Sequence, residues 1–401
     1  MEQTNLKKCG IICEYNPLHN GHVRHIQEAK KASGCDTLIC VMSGNFAQRG
    51  DGAVLDKYTR ARHAVLAGAD IVVELPTVFA VGAAEDFAFG AVRLLSALGC
   101  ECLHFGSESG DAEALAAVAD FLLDPPAAFQ KKLKDNLSKG MSYPQSVSKA
   151  AARYIDASIL DKPNNTLAIE YIKEIKRQNS GIVPMTVTRT SDYNSDDLLS
   201  EFCSASAIRT AFNKQDFKKI KRHVPHFVYE DLVGNQFYRQ QNFEIFAHGF
   251  LITSNAGYLR NIYGAEEGLH NKLIKNATLP CYDDLLFATK SKRYTLLKIK
   301  RLILCSVLNI NKNVMRKAKK AKPYFKVLAI NADRCDILSD FAAQGATDIK
   351  NLDETQKEIY AIDRKAANLY SALCQKQGNL DRSMPMQKID VNAYKSGKKG
   401  D

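Results

Sequence analysis

Between residues 9 and 105 short apolar runs alternate with helically periodic segments, and this alternation limits the fold more than any other feature of the chain. The runs cover 9–14, 37–42, 71–75 and 101–105, and the periodic segments between them cover 22–33, 58–67 and 85–98. Strand and helix in turn imply parallel strands joined by right-handed crossovers, because a helix packs back onto a twisted sheet only with that hand. The expected fold class is α/β, with a doubly wound, Rossmann-like parallel sheet whose ligands bind at the carboxyl ends of the strands.

After Asp124-Pro125-Pro126 the pattern turns helical. A polar break falls at Pro163-Asn164-Asn165, and a helix is expected over 167–176. A strand over 183–188 returns to the sheet, and another helix opens over 204–212. A boundary near 215 divides the 401 residues into a sheet domain, 1–215, and a mainly helical domain, 216–401, with a polar tail from Lys395 and a strand signal at 324–330. With 45% hydrophobic and 25% charged residues, wholly disordered and collagen-like readings are excluded. The longest apolar stretch, 75–84, is far short of the roughly 20 residues that span a bilayer. The opening segment lacks the apolar core of a secretory signal, and the eleven cysteines form no Cys-x-x-Cys pair. Reduced thiols and a cytoplasmic location are expected. Cys100 and Cys102 read as strand packing rather than as metal ligands.

Charge separates the two halves. Residues 1–216 hold 23 Lys and Arg against 26 Asp and Glu, whereas residues 217–401 hold 32 against 18. No acid lies between Asp284 and Asp333, an interval with thirteen basic residues. Such a stretch fits either a polyanion surface or a solvated helix face. Leu296, Leu297, Ile299, Leu302, Ile303 and Val307 recur at helical spacing within it, so an ordered basic helix is expected. Tyr294 and Tyr324 flank that helix, as base-stacking residues or as core aromatics.

The densest chemical signal is Glu14-Tyr15-Asn16-Pro17-Leu18-His19-Asn20-Gly21-His22, at the junction of the first strand and first helix. Unpaired N–H groups and the helix dipole favour a phosphate there, Gly21 permits close backbone approach, and His19 and His22 can stabilise charge developing on it. His22 and His25 have metal-compatible spacing, but no HExxH or Cys/His cluster accompanies them, and no metal site is assigned. A second helix start, Ser204-Ala205-Ser206-Ala207-Ile208-Arg209, offers hydroxyls and a guanidinium for the outer phosphates of a triphosphate.

These elements resemble the nucleotidyltransferase superfamily marked by His-x-Gly-His after the first strand and a Ser-rich, Ile-Arg element late in the sheet. Further stretches are similar to the bacterial tRNA(Met) cytidine acetate ligases. They include Met42-Ser43-Gly44-Asn45-Phe46-Ala47-Gln48-Arg49-Gly50, Asp56-Lys57, Gly68-Ala69-Asp70, Glu74-Leu75-Pro76, Phe105-Gly106-Ser107-Glu108, Pro163-Asn164-Asn165, Tyr263 to Gly268 and Lys290 to Thr295. The resemblance implies that ATP and acetate give acetyl-adenylate and pyrophosphate, and that the acetyl group passes to N4 of the wobble cytidine of elongator tRNA(Met). It implies ATP contacts at Ile12, Cys13, Glu14, Tyr15, Asn16, Pro17, His19, Asn20, Gly21, His22, His25, Gly106, Asn164 and Arg189, joined by Ser204, Ser206 and Arg209, with Mg2+ carried on the ATP phosphates. His19 and His22 are the expected catalytic pair. Glu14 is a candidate acceptor for the amine proton, or a structural carboxylate.

Lys290, Lys292, Arg293, Lys298, Lys300, Arg301, Arg316 and Lys317 are the expected tRNA contacts. The sequence departs from the family pattern at Asp51-Gly52-Ala53 and Val81-Gly82-Ala83, and the resemblance ends near Met384. Two other readings of the chain are a small-molecule adenylyltransferase or acyl-adenylate synthetase of the same fold, and a noncatalytic RNA-binding nucleotide sensor. The basic stretch disfavours the first, and the intact His and Ser/Arg sets disfavour the second.

Overall fold

Apolar strands that read as near-continuous hydrophobic runs belong in parallel sheets covered on both faces. A computed structural model, which describes residues 7–189, 203–234, 237–266, 268–375, 381 and 384–396, has this arrangement. Thr190, Glu267, residues 1–6 and the tail beyond Ser396 lie outside the described residues. β1 (Lys8–Cys13), β2 (Thr37–Ser43), β3 (Ile71–Leu75), β4 (Cys102–Ser107) and β5 (Val183–Thr188) pair in the order β5-β4-β1-β2-β3, every pair parallel. Alternate residues of β2 enter different cores. Ile39 and Val41 join the cluster holding Ala91 and Ile172, whereas Leu38, Cys40 and Met42 join the one holding Ile26 and Ala61.

The division near residue 215 does not end the sheet. The signal at 324–330 splits into β6 (Tyr324–Phe325) and β7 (Val327–Asn331); β6 pairs with β8 (Thr347–Asp348), while β7 runs antiparallel beside β3. β9 (Gln387–Ile389) then adds parallel to β7, so the basic half completes a seven-stranded sheet begun by the other. Periodicity marks a strand without naming its partner, which is why a boundary drawn on composition missed this return. The intervening helices include Ala205–Asn213, Gln240–Thr253, Tyr282–Thr289, Leu296–Leu308 and Lys312–Lys320. They share the sheet's core: Phe243, Ile299 and Leu302 belong to the same apolar cluster as Ile39 and Val41.

Two of the quoted motifs are structural. The Asp56 carboxylate caps helix Lys57–Leu66, accepting from the N–H groups of Tyr58 and Thr59 at 3.0 Å each. Lys57, fully buried, lies 2.7 Å from both carboxylate oxygens of Glu74 and 2.8 Å from Asp381; Lys326 also reaches Asp381 at 2.8 Å. Two lysines and two acids thus neutralise one another beneath the β3–β7 seam.

All eleven cysteines are free thiols, and no described helix is long and apolar enough to cross a membrane. Tyr294 and Tyr324 are both buried, and the Tyr324 hydroxyl donates to Asp363 at 2.6 Å, so both are core aromatics.

Candidate active site

The chain passes from β1 to β2 and β3 on one side and reaches β4 on the other, so the strand order reverses between β1 and β4. Crossover helices leave such a point on opposite faces and a crevice opens at the carboxyl ends. A cavity of about 220 Å³ lies there. Ile12, Cys13 and Glu14 line it from the end of β1, and Phe105 and Gly106 from β4. His19, Gly21, His22 and His25 enter from helix Asn20–Ser33, and Ser204, Ser206 and Arg209 from the start of Ala205–Asn213. Two helix starts 185 residues apart in sequence therefore face one space.

His19 and His22 stack, with ring centroids 3.7 Å apart and planes inclined by 24°. The His19 backbone N–H donates to Nδ1 of His22 at 3.3 Å, which fixes the second ring against the helix start. Both ring nitrogens of His19 are buried without a hydrogen-bond partner. Orphaned buried polar atoms are costly, and two on one imidazole beside a cavity mark a place for a ligand that supplies the missing partner.

Burial, then Arg189, His223 and Arg209, pushes His19 down to about 3. Burial and His19 hold His22 well below the usual histidine range. His25, 2.9 Å from Nδ1 of His104, is also pushed down to about 3, by burial and then His104. The imidazoles are therefore neutral at physiological pH, and each has one N–H to donate.

The other walls are held by dense hydrogen bonding. Arg209 donates to the carbonyl of Asn16 at 2.8 Å, tying the second helix start to the first motif. Arg189 donates to Oδ1 of Asn164 at 3.0 Å, and Nδ2 of Asn164 donates to Glu108 at 2.7 Å. Glu108 also accepts the backbone N–H groups of Asn164 and Asn165, so it serves as the anionic anchor of helix Pro163–Arg177. Gly106, which lines the cavity, also meets Arg189: a Cβ there would sit 2.8 Å from Cγ of Arg189, so its bareness admits the arginine stem. Glu14 accepts the Gln48 N–H at 2.7 Å.

Fifteen of the seventeen expected ATP residues line this one cavity, and Pro17 and Asn20 do not. Asn20 turns away: its N–H donates to the carbonyl of His223 at 2.9 Å and its side chain to that of Arg222 at 3.1 Å. Arg24, inside the expected segment 12–25, also lines the cavity; sequence reasoning missed Glu28, Gln48, Arg49, Thr188 and the apolar wall of Phe87, Phe105, Leu167, Tyr171 and Val187. Gln48, Arg49 and Phe105 stood inside quoted motifs, but the rest of the apolar wall carries no signal that distinguishes it from core. Arg60 was also missed; buried whole, it donates to the carbonyls of Glu14 at 2.5 Å, Ser43 at 3.2 Å and Leu55 at 3.0 Å and also to that of Gly44.

The expected RNA contacts divide into two groups. Lys290, Lys292, Arg293 and Arg316 are exposed. Lys298 meets Glu266 at 3.5 Å and Lys317 meets Glu358 at 2.6 Å, whereas Lys300 and Arg301 turn toward residues 48–51. Lys319 likewise pairs with buried Asp86 at 2.6 Å. Part of the charge asymmetry between the halves is thus used within the molecule. Both departures from the family pattern take part in this packing: Asp51 pairs with Lys300, and a Cβ on Gly82 would lie 2.6 Å from Cβ of Asp86.

The family model described as HIGH Nucleotidyl Transferase matches residues 6–384. A tRNA(Met) cytidine acetate ligase of Clostridium perfringens is 37% identical over 382 residues, covering 91% of this chain and 94% of the relative. Its counterpart in Caldanaerobacter subterraneus subsp. tengcongensis is 37% identical over 381 residues, covering 89% and 94%. Among solved structures, Thermotoga maritima TmcAL bound with alpha-thio ATP is 32% identical, with a TM-score of 0.87 over 96% of this chain and all of that one. The apo form of TmcAL gives 0.90 over the same shares. Sequence and fold agree, and the chain belongs to the HIGH nucleotidyltransferase family, among the tRNA(Met) cytidine acetate ligases.

Proposed function

We propose that this chain joins acetate to ATP as acetyl-adenylate, with loss of pyrophosphate, and then transfers the acetyl group to N4 of the wobble cytidine of elongator tRNA(Met). The observation that carries this reading is the convergence of two helix starts, one with His19 and His22 and one with Ser204, Ser206 and Arg209, on a single cavity at the strand switch point. An acetate oxygen attacks the α-phosphorus and the bond to the pyrophosphate oxygen breaks. Neutral His19 and His22 donate N–H groups to the charge building on the α-phosphate, while Ser204, Ser206 and Arg209 hold the departing pyrophosphate. The amine of the cytidine then attacks the acetyl carbonyl, AMP leaves, and N4 loses a proton.

Mg2+ would be carried on the ATP phosphates. Among the described residues the cavity wall has two carboxylates, Glu14 and Glu28, and no metal-holding group of His, Cys, Asp or Glu, a donor set that fits an ion held through the ATP phosphates rather than by the protein. Such an ion would supply charge neutralisation on the triphosphate. ATP and tRNA place the reaction in the cytoplasm.

Purified protein with ATP, labelled acetate and elongator tRNA(Met) is expected to yield N4-acetylcytidine, AMP and pyrophosphate. A requirement for acetyl-CoA counts against the acetate-ligase reading, and AMP formation without label in RNA favours a small-molecule synthetase. Exposed Lys290, Lys292, Arg293 and Arg316 are expected to bind phosphates, so tRNA affinity should fall steeply as salt rises. Filter binding from 50 to 300 mM salt reads this directly, and a flat profile excludes a phosphate-binding surface.

The depressed histidines set the pH behaviour. Because folded His19 and His25 titrate at about 3, kcat/KM for ATP is expected to show no inflection near 6.5 between pH 6 and 8. Stability behaves differently. Below pH 6.5 the unfolded chain takes up protons that the folded one refuses, so stability declines with falling pH by up to about 1.4 kcal/mol per unit for each buried histidine. Urea midpoints of the ligand-free protein at pH 7, 6 and 5 check the slope, and invariance would show that the imidazoles are not buried.

A further inference from the structure

We propose that Lys300 and Arg301 are positioning residues for the adenylation site rather than RNA contacts, holding the turn at 48–51 so that Gln48 and Arg49 form one wall of the cavity. This rests on the function proposed above and assigns helix Leu296–Leu308 a part in its first step. The turn and the helix touch through their backbones. Gly50 has φ +81°, and a Cβ there would lie 2.8 Å from the carbonyl carbon of Lys300 and 2.9 Å from the nitrogen of Arg301. No other residue type permits that approach in that conformation.

Side chains extend the contact. Nζ of Lys300 donates to the two oxygens of Asp51 at 3.0 and 3.3 Å, and the Arg301 guanidinium, partly buried, reaches the carbonyl of Gln48 at 3.5 Å. The turn itself is short and closed, with the Ala47 N–H donating to the carbonyl of Asp51 at 2.9 Å and the Gly50 N–H to that of Ala47 at 3.0 Å. Its other side faces the site. Gln48 and Arg49 line the cavity, and the Gln48 N–H donates to the Glu14 carboxylate at 2.7 Å. A shift at Asp51 is therefore transmitted to the cavity wall within three residues. A lysine engaged at 3.0 Å with a carboxylate is also a poor partner for RNA phosphate, since binding one would mean leaving the other.

The test is a double-mutant cycle on Lys300→Met and Asp51→Asn in the full chain, with acetate-dependent ATP–pyrophosphate exchange and tRNA binding as separate readouts. Each single variant is expected to raise KM for ATP or acetate by roughly three- to tenfold, and the double variant by no more than either alone. Lys300→Arg should stay close to wild type, and Gly50→Ala should reproduce the KM rise. The slope of log tRNA affinity against log salt should be unchanged in all. Lys300→Met with normal exchange overturns the proposal, and a slope reduced by about one with normal exchange replaces it with a phosphate contact. Wild-type protein without exchange activity counts against the function itself, a result distinguishable from variants that match an active wild type.

Discussion

His22→Ala is expected to reduce acetate-dependent ATP–pyrophosphate exchange at least about a hundredfold while leaving tRNA affinity within roughly twofold of wild type. The size follows from the environment of the ring. A donor aimed at developing charge in a dry site is worth more than in water, and it needs no reorganisation when the reaction occurs. His22 is held by stacking on His19 and by the His19 N–H, so alanine removes one donor and also frees its neighbour. His19→Ala and the double variant should for that reason lose similar amounts, far less than the product of two independent losses. Retained exchange in His22→Ala would exclude an imidazole role at the α-phosphate. Unchanged tRNA affinity is the control for folding.

The second large effect is on stability. Lys57→Met is expected to destabilise the fold by about 3–5 kcal/mol, the range for removing one partner of a buried ion pair. Burial opposes the charge on Lys57, but Glu74 and Asp381 outweigh it and hold the ammonium above its usual range. Methionine fills the space of the stem and leaves two carboxylates facing Lys326 alone. Lys57→Met with Glu74→Gln restores a neutral cluster and should recover part of the loss. Urea unfolding of the two variants measures the difference; a loss under about 1 kcal/mol in the single variant would show that water reaches the cluster.

The sheet and the nucleotide cavity were legible because their signals are local. Strand boundaries at 71–75 and 183–188 match the structure, and the His19/His22 and Ser204/Arg209 helix starts meet as the switch-point rule requires. What the sequence hid was partnership across distance. Lys300 and Arg301 look like any other cations of a basic helix until Gly50 brings the turn at 48–51 against them. Asn20, inside the strongest motif, turns outward to carbonyls of residues 222 and 223, a choice set by tertiary packing. Gly106 admits Arg189, a partner 83 residues later that no local pattern reveals.

The late arrival of β7 and β9 has a consequence for biosynthesis. A ribosome releases β3 and the buried Glu74 some 250 residues before Lys326 and the antiparallel neighbour of β3 emerge, and Asp381 follows later still. Until then the nascent chain has a bare hydrophobic edge and incompletely paired interior charges, a state that invites strand pairing with other chains. Ligand-ready protein therefore waits for β7 and β9, and fragments ending before residue 327 are expected to aggregate rather than bind nucleotide.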